Sequence, residues 1–268
     1  FVGDPLVCLT ICCLIILGGI GFIVTVDLYN WGRKRVRKEE RRPHLTLHTR
    51  IVLVSTASLL VLGTVLTLGL EYDHTLKDLN FWEKLNASFF QSVTARTAGY
   101  ATIPQGELGD ATKLVTIILM FIGASPSSTG GGIKTTTFVV LVATVVSISR
   151  GRDETVINKR RVDKSVVYRA MTIVAMAFLV IAITSGVIMV TTPPEVSAID
   201  AVYEAVSAFG TVGLTTGLTP DLSIVAKILV MLTMFIGRVG PISLVLALTM
   251  KHSGGPGKIL PEGKVIVG

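Results

Sequence analysis

The chain has 268 residues, a mean hydropathy of +0.67 and a formal net charge of +7 at pH 7. Half of its residues are hydrophobic and 16% are charged, against the roughly 25% charged residues that are usual in soluble domains. Lysine and arginine form short blocks between long apolar runs, whereas a nucleic-acid-binding domain would spread them over one face. The composition excludes a soluble nucleic-acid binder and predicts an all-α, multi-pass protein of the plasma (inner) membrane, surrounded by membrane lipid.

Five apolar segments are long enough to cross a bilayer, whose core takes about 20 apolar residues as a helix. They cover residues 6–29, 51–70, 114–148, 166–190 and 224–250. The third segment is too long for one straight span, since about 35 helical residues would reach about 52 Å against a core of about 30 Å. We expect it to break at its run of small residues, 123–132. Irregular backbone at membrane depth is tolerated where it lines a water-filled cavity, so this segment should lie in a permeation path.

Basic residues follow the first, third and fifth apolar segments, in loops at 33–48 and 150–165 and in a tail at 251–268. The opposite connections, 71–84 and 191–200, are short and rich in Glu, Asp and Pro. By the positive-inside rule, the basic loops and the tail are cytoplasmic. The basic blocks then serve as a topological signal, with docking of an acidic partner as the alternative.

Two tetrads occupy equivalent places in the chain, each after a short amphipathic stretch and before a membrane-length segment. They are Thr97-Ala98-Gly99-Tyr100 and Thr211-Val212-Gly213-Leu214. A chain that enters the membrane as a short helix and returns as an extended strand can point carbonyls at a dehydrated cation, and glycine permits the dihedrals required. We predict a filter formed by the carbonyls of Thr97, Ala98, Gly99, Thr211, Val212 and Gly213, with Tyr100 and Leu214 packed behind it. Two ordinary turns at helix ends are the alternative.

The tetrads belong to an internal repeat with a period of about 110 residues. The predicted unit is span, pore loop, span, and the units run in parallel around one pore. Two copies are complete, and a third is represented by its closing span. The predicted boundaries are 1–32 for the closing span, 49–149 with pore loop 83–104 and broken second span 111–149, and 166–250 with pore loop 197–218.

An aspartate opens each closing segment, at Asp4, Asp110 and Asp221, and we expect these residues to cap the outer ends of helices. A ring that surrounds an ion needs about four pore loops. The sequence is therefore expected to be the later portion of a longer polypeptide.

With these motifs the chain resembles the later half of the ion-translocating subunit of the Ktr/Trk/HKT superfamily of potassium transporters, and most of all the bacterial KtrB type. The motifs that carry the resemblance span almost the whole chain, at 92–100, 125–134, 210–213 and 237–241. The resemblance implies four span–pore-loop–span repeats with one filter glycine each, of which Gly99 and Gly213 are the third and fourth. The chain departs from the family in lacking the first repeat and most of the second.

The resemblance implies potassium uptake down its electrochemical gradient, with K⁺ bound at the filter carbonyls as the transported ion. No chemical step is involved, so the chain is not expected to be an enzyme. A secondary transporter for another monovalent cation, Na⁺ or mixed Na⁺ and K⁺, is the alternative. KtrB-type subunits form homodimers on a cytoplasmic ring of nucleotide-binding regulatory subunits, which the tail 251–268 could reach.

The broken span and one arginine are predicted to gate the pore. The small residues suit a mobile segment, which the resemblance places across the pore, and a passive kink is the alternative. The predicted gate residues are Ser125, Pro126, Ser127, Ser128, Thr129, Gly130, Gly131, Gly132, Lys134 and Arg238. Arg238 lies about 21 Å along the last span from Ile224. Its charge would raise a barrier beneath a cation filter, and its guanidinium can donate to carbonyls of the broken segment; tying helices together is its alternative role.

The segment 130–136 resembles a phosphate-binding loop, but Ile133 interrupts the required Gly-Lys-Ser/Thr and an apolar span precedes it, so we expect no nucleotide site in this chain. Arg96 directly precedes the first tetrad, where a side chain in the pore would repel cations. We therefore expect it to point away and brace the pore helix through an acidic neighbour such as Glu83.

Overall fold

The computed structural model describes residues 4–37, 44–192 and 196–240. Within these ranges the chain forms nine α-helices and one short β-hairpin. The helices are α1 (Pro5–Gly19), α2 (Phe22–Val36), α3 (Leu47–Glu71), α4 (Phe81–Thr94), α5 (Asp110–Phe121), α6 (Thr135–Ser149), α7 (Lys164–Thr191), α8 (Ala198–Gly210) and α9 (Ile224–Val239). The predicted tail 251–268, residues 38–43 of the first basic block and the end of the last predicted span lie outside the described residues.

Helices α3 and α7 are long and apolar enough to cross a membrane, and the bent pair α1 and α2 would supply a third span if it is counted as one. Thr46 caps α3 by accepting a hydrogen bond from the amide of Thr49 at 3.3 Å. Asp163 caps α7 in the same way, accepting from the amide of Ser165 at 3.0 Å. Polar residues just outside the apolar runs thus fix where the spanning helices begin.

The first apolar segment differs from the single span predicted over 6–29, since α1 and α2 meet at an angle of 97°. The bend falls at Gly21, which has a φ of +88° and lies so close to the carbonyl of Pro126 that a Cβ would collide with it. The amide of Phe22 donates to the carbonyl of Ser127 at 3.0 Å. The bend is therefore made by a contact with a distant segment, which hydropathy does not report.

The three aspartates that were expected to cap helices behave differently from one another. Asp4 caps α1, accepting from the amides of Leu6 and Val7 at 3.1 and 3.2 Å. Asp110 instead lies in the first turn of α5, where Gly109 is the capping residue. Asp221 lies in a 3₁₀ turn, and α9 is capped by Ser223.

Helices α4 and α8 are short and lie inside the bundle. Helix α4 packs against α1 and α3, while α8 packs against α5, α7 and α9. The side chains of Tyr203 and Phe209 on α8 are fully buried. A buried ion pair joins α5 to α8, with Lys113 Nζ 2.8 Å from Asp200 Oδ1. The neighbouring helices therefore enclose most of α4 and α8, whose C-terminal residues are buried.

A short hairpin lies within the predicted basic loop 150–165. Strands β1 (Val156–Ile157) and β2 (Arg160–Arg161) pair in antiparallel register. The two turn residues, Asn158 and Lys159, have φ values of +49° and +62°. Two consecutive residues with positive φ are typical of the type I′ turn that joins two-residue hairpins.

Candidate functional site

Helices α4 and α8 each end at or a few residues before a tetrad, and the two tetrads share a backbone pattern. Thr97 and Gly99 have φ values of +73° and +80°, and Thr211 and Gly213 have values of +51° and +93°. A threonine at positive φ is strained by about 1–3 kcal/mol and persists only where its surroundings hold it. The same strained pattern at both tetrads, which lie in different parts of the chain, marks a specialised backbone.

The two tetrads contact each other. A Cβ at Gly99 would collide with the carbonyl oxygen of Val212 and would lie 3.2 Å from Cα of Gly213. Leu214 is buried behind its tetrad, as expected. Tyr100 differs from the expectation, because its side chain is 60% exposed and lines a cleft of about 460 Å³ beside Thr97 and Ala98. The tetrads thus form one paired structure with an open side.

The broken segment between α5 and α6 lies against both tetrad threonines. A Cβ at Gly130 would collide with Oγ1 of Thr97, and a Cβ at Gly131 would collide with Oγ1 of Thr211. An isolated parallel bridge between Ile122 and Ile133 closes the base of the segment. Consecutive glycines therefore let this backbone approach both tetrads at once.

The remaining predicted gate residues tie the broken segment to α1 and α6. The amide of Ser125 donates to the carbonyl of Gly19 at 3.0 Å, and the amide of Thr129 donates to that of Gly18 at 3.4 Å. The hydroxyl of Ser125 lies 3.1 Å from that of Thr135, the first residue of α6. The segment is thereby held at both of its edges.

Lys134 forms a hydrogen bond inside the broken segment, in which its Nζ donates to the carbonyl of Gly130 at 2.5 Å. Arg238, in the last turn of α9, is close enough to act electrostatically on Lys134. In the described part of the chain, the cationic side chains that donate to carbonyls of this segment are Lys134 and Arg96. Among the described residues Arg238 is exposed and donates to no carbonyl of this segment.

Arg96 lines the same cleft as Thr97, Ala98 and Tyr100, and its partner is not Glu83. Its side chain is 7% exposed, and Nη2 donates to the carbonyl of Gly123 at 3.4 Å. Glu83 lies at the opposite end of α4, where its carboxylate accepts from the amide of Asn80 at 3.0 Å. The expected brace through Glu83 is wrong because about 13 helical residues separate the two side chains by about 20 Å. Arg96 instead connects the first tetrad to the broken segment.

Polar side chains behind the tetrads are not among the residues predicted from the sequence. Gln91 on α4 and Gln105 form a reciprocal amide pair at 2.7 and 3.1 Å, and the hydroxyl of Tyr203 on α8 donates to Gln105 at 2.8 Å. The neighbouring carboxylate of Glu204 accepts from residues that follow the second tetrad. Polar residues on the buried faces of short, mostly apolar helices are the signal that could have identified them.

Several known proteins are similar to this chain. A family profile described as TrkH, cation transport protein, matches residues 1–255. The Ktr system potassium uptake protein B of Bacillus subtilis is 37% identical over 270 residues, which cover 100% of this chain and 58% of that protein. The potassium/sodium uptake protein NtpJ of Enterococcus hirae is 38% identical over 259 residues, 95% of this chain and 56% of that protein. The chain thus spans about half the length of these relatives.

A solved structure is also similar. The crystal structure of the potassium transporter TrkH from Vibrio parahaemolyticus superposes with a TM-score of 0.69 and 18% sequence identity. The match covers 93% of this chain and 53% of the other. At that identity the likeness concerns the fold alone, and it agrees with the predicted all-α membrane architecture.

Proposed function

The chain belongs to the TrkH family of cation transport proteins, and we propose that it forms part of a potassium uptake pore whose filter includes both tetrads. Family membership confirms the resemblance to the Ktr/Trk superfamily. It also confirms that the protein is an integral, multi-pass membrane transporter rather than an enzyme. The observation that carries the proposal is the contact between Gly99 and Val212, which brings the two strained tetrads together at the ends of enclosed helices.

In this proposal, backbone carbonyls of the tetrads replace the hydration shell of K⁺. A filter must bind the ion well enough to admit it and weakly enough to release it, which backbone carbonyls achieve in potassium channels. The carbonyls concerned belong to Thr97, Ala98, Gly99, Thr211, Val212 and Gly213. Potassium is proposed because relatives at 37% and 38% identity are named potassium uptake proteins.

Two tetrads enclose an ion from one side, so the proposal requires further filter strands. The cleft beside Thr97 and Ala98 marks the open side of the pair. We place the missing strands there, as parallel span–pore-loop–span repeats around the same axis. The chain covers 58% and 56% of the lengths of two relatives. The remainder leaves room for one whole repeat and most of another, which are the parts that this chain lacks.

The broken segment would act as the gate in this pore. It lies against Thr97 and Thr211, and in the proposed pore that position is on the path of an ion that has passed both tetrads. Lys134 places a positive charge beside it, with Arg238 close by. A fixed positive charge raises the energy of a cation in a narrow path, so the described arrangement would oppose conduction until the segment moves.

A second candidate function is transport of both potassium and sodium. It is favoured by one observation, the 38% identity to a protein named potassium/sodium uptake protein. The tetrads differ in sequence, with Ala98 and Tyr100 in one and Val212 and Leu214 in the other. An asymmetric filter of this kind is compatible with transport of both ions.

Assembly is also part of the proposal. By analogy with KtrB-type subunits, the protein would form a homodimer on a cytoplasmic ring of nucleotide-binding regulatory subunits. The basic loop 150–165 faces the cytoplasm in the predicted topology and carries the exposed pair Arg161 and Glu154. The nucleotide that controls the gate would then bind the partner ring.

Reconstitution of the full polypeptide into proteoliposomes tests the function. We expect an inwardly directed K⁺ gradient to drive uptake of K⁺ in preference to Na⁺, and Gly213→Ser to weaken that preference. Equal uptake of both ions by the wild-type protein would favour the second candidate. The absence of any K⁺ flux, with or without the regulatory ring, would contradict both.

A further inference from the structure

The second tetrad is anchored by a buried carboxylate outside the set of residues predicted from the sequence. Glu204 lies on α8 and its side chain is 5% exposed. Its Oε1 accepts from the hydroxyl of Thr215 and from the amide of Thr216 at 3.2 Å, and its Oε2 accepts from the hydroxyl of Thr219 at 3.0 Å. All three donors follow Gly213 within six residues.

These hydrogen bonds fix the tetrad at its outer end. The inner end is continuous with α8, whose last residue is Gly210. The outer end is held where Thr215 and Thr216 meet the carboxylate of the same helix. Both ends of the tetrad are therefore attached to α8, one through the chain and the other through Glu204. Ligand atoms need to be held within about 0.5 Å by supporting hydrogen bonds if a site is to be selective.

A carboxylate suits this anchor better than a neutral group would. Hydrogen bonds to an ionised acceptor are roughly twice as strong as those between neutral groups. The partners that the described residues offer to Glu204 are hydroxyls and an amide rather than a cation. The nearby lysine, Lys113, is engaged with Asp200 at 2.8 Å.

The first tetrad is held differently, by neutral groups. The hydroxyl of Thr94 donates to the carbonyl of Tyr100 at 2.6 Å. The position equivalent to Glu204 in the first repeat is Phe90, which packs in an apolar cluster. A carboxylate behind one tetrad only is a specific feature of the second repeat, whereas a general structural need would appear in both.

We infer that Glu204 is a positioning residue that sets potassium selectivity by holding the second tetrad at its outer end. The inference rests on the proposed function. In this inference, Glu204 controls the spacing of the carbonyls of Val212 and Gly213. It does so through its hydrogen bonds to Thr215, Thr216 and Thr219.

The test uses Glu204→Asp in the full polypeptide, because aspartate keeps the charge and shortens the reach to the three donors. We expect the ratio of K⁺ to Na⁺ uptake in proteoliposomes to fall about tenfold, as the loss of one charge-assisted hydrogen bond would allow. Thr219→Val should lower the ratio in the same direction, and Thr219→Ser, which keeps the hydroxyl, should retain it. Thr219 is exposed, so both variants should fold.

Glu71→Asp is the matched control, since Glu71 is also a buried carboxylate with several donors. Its side chain is 1% exposed and accepts from Thr75 at 2.7 Å and from the amide of Gly109 at 2.9 Å. Gly109 lies ten residues beyond Gly99, so this anchor should affect thermal stability and leave the ratio of K⁺ to Na⁺ uptake unchanged.

The role of Glu204 would be overturned if the wild type is selective for K⁺ and the Glu204→Asp and Thr219→Val variants are equally selective. A wild type that does not distinguish K⁺ from Na⁺ would instead overturn potassium selectivity itself.

Discussion

Gly99 lies directly against the carbonyl oxygen of Val212. A Cβ added at Gly213 would have the Cα of Gly99 as its nearest neighbour, at 3.8 Å. The backbones of the two tetrads therefore pack against each other. The contact is asymmetric, because the space at Gly99 is filled by a carbonyl while the space at Gly213 is open. This asymmetry separates the effects of substitution at the two glycines.

We expect Gly99→Ala to destabilise the protein more than Gly213→Ala. Both substitutions place an alanine at positive φ, which costs about 1–2 kcal/mol. At position 99 the new Cβ also collides with Val212, and such overpacking costs about 1–3 kcal/mol more. Thermal unfolding in detergent should give a lower Tm for Gly99→Ala.

Gly186→Ala serves as the control for this pair. Gly186 is a helical glycine of α7, and no atom outside its own helix turn lies within 4 Å of the place that a Cβ would take. Alanine in a helix is favoured over glycine by about 1 kcal/mol, so the Tm should stay the same or rise. Equal losses of Tm at positions 99 and 213 would contradict the asymmetric contact.

Lys134→Met should raise cation flux. The substitution removes the hydrogen bond from Nζ to the carbonyl of Gly130 and the positive charge beside the broken segment. A hydrogen bond to a charged group contributes about 1.5–3 kcal/mol, so a shift of the gate towards open should increase K⁺ uptake about tenfold or more. Initial uptake rates in proteoliposomes measure this directly.

Lys227→Met provides a matched control for Lys134. The Nζ of Lys227 also donates to a backbone carbonyl, that of Pro220 at 2.9 Å, but at the outer end of α9. Its replacement should leave the uptake rate unchanged. If both variants changed flux alike, a general charge effect would replace the specific role of Lys134.

Breaking the ion pair between Lys113 and Asp200 should destabilise the protein strongly. The atoms lie 2.8 Å apart, and the side chains are 7% and 21% exposed. Removing one partner of a buried pair leaves an uncompensated charge, so Lys113→Met should cost about 3 kcal/mol. Arg161→Met, in a pair whose side chains are 60% and 44% exposed, should cost less than about 1 kcal/mol. Similar losses of Tm in both variants would show that α5 and α8 do not depend on the buried pair.

The helical membrane fold and the family could be predicted from the sequence, because both follow from signals along the chain. Apolar length identifies a spanning helix whatever its neighbours are, as for α3 and α7. The bend at Gly21 could not be predicted, since it depends on the carbonyl of Pro126, about a hundred residues away. Hydropathy also does not indicate the hairpin around Asn158, which depends on the backbone of two turn residues.

The site could be predicted in part for the same reason. The tetrads repeat in sequence, so their equivalence was visible, but their mutual contact was not. The sequence predicts a partner for Arg96, and an acidic residue is the partner that its charge favours. The partner in the structure is the carbonyl of Gly123. Such a partner cannot be predicted from the sequence, because every residue has a backbone carbonyl. The role of Glu204 has no sequence signal, since its donors are ordinary threonines.

Binding of the transported cation by the carbonyl oxygens of the paired tetrads underlies the whole proposed mechanism. Anomalous X-ray scattering from crystals of the full protein, grown with Rb⁺ in place of K⁺, can locate the ion itself. We expect anomalous density in contact with the carbonyls of the tetrads, beside Gly99 and Gly213, and its loss in Gly213→Ser. Rb⁺ bound elsewhere in a protein that still transports it, with no density at the tetrads, would show that the tetrads are not the filter.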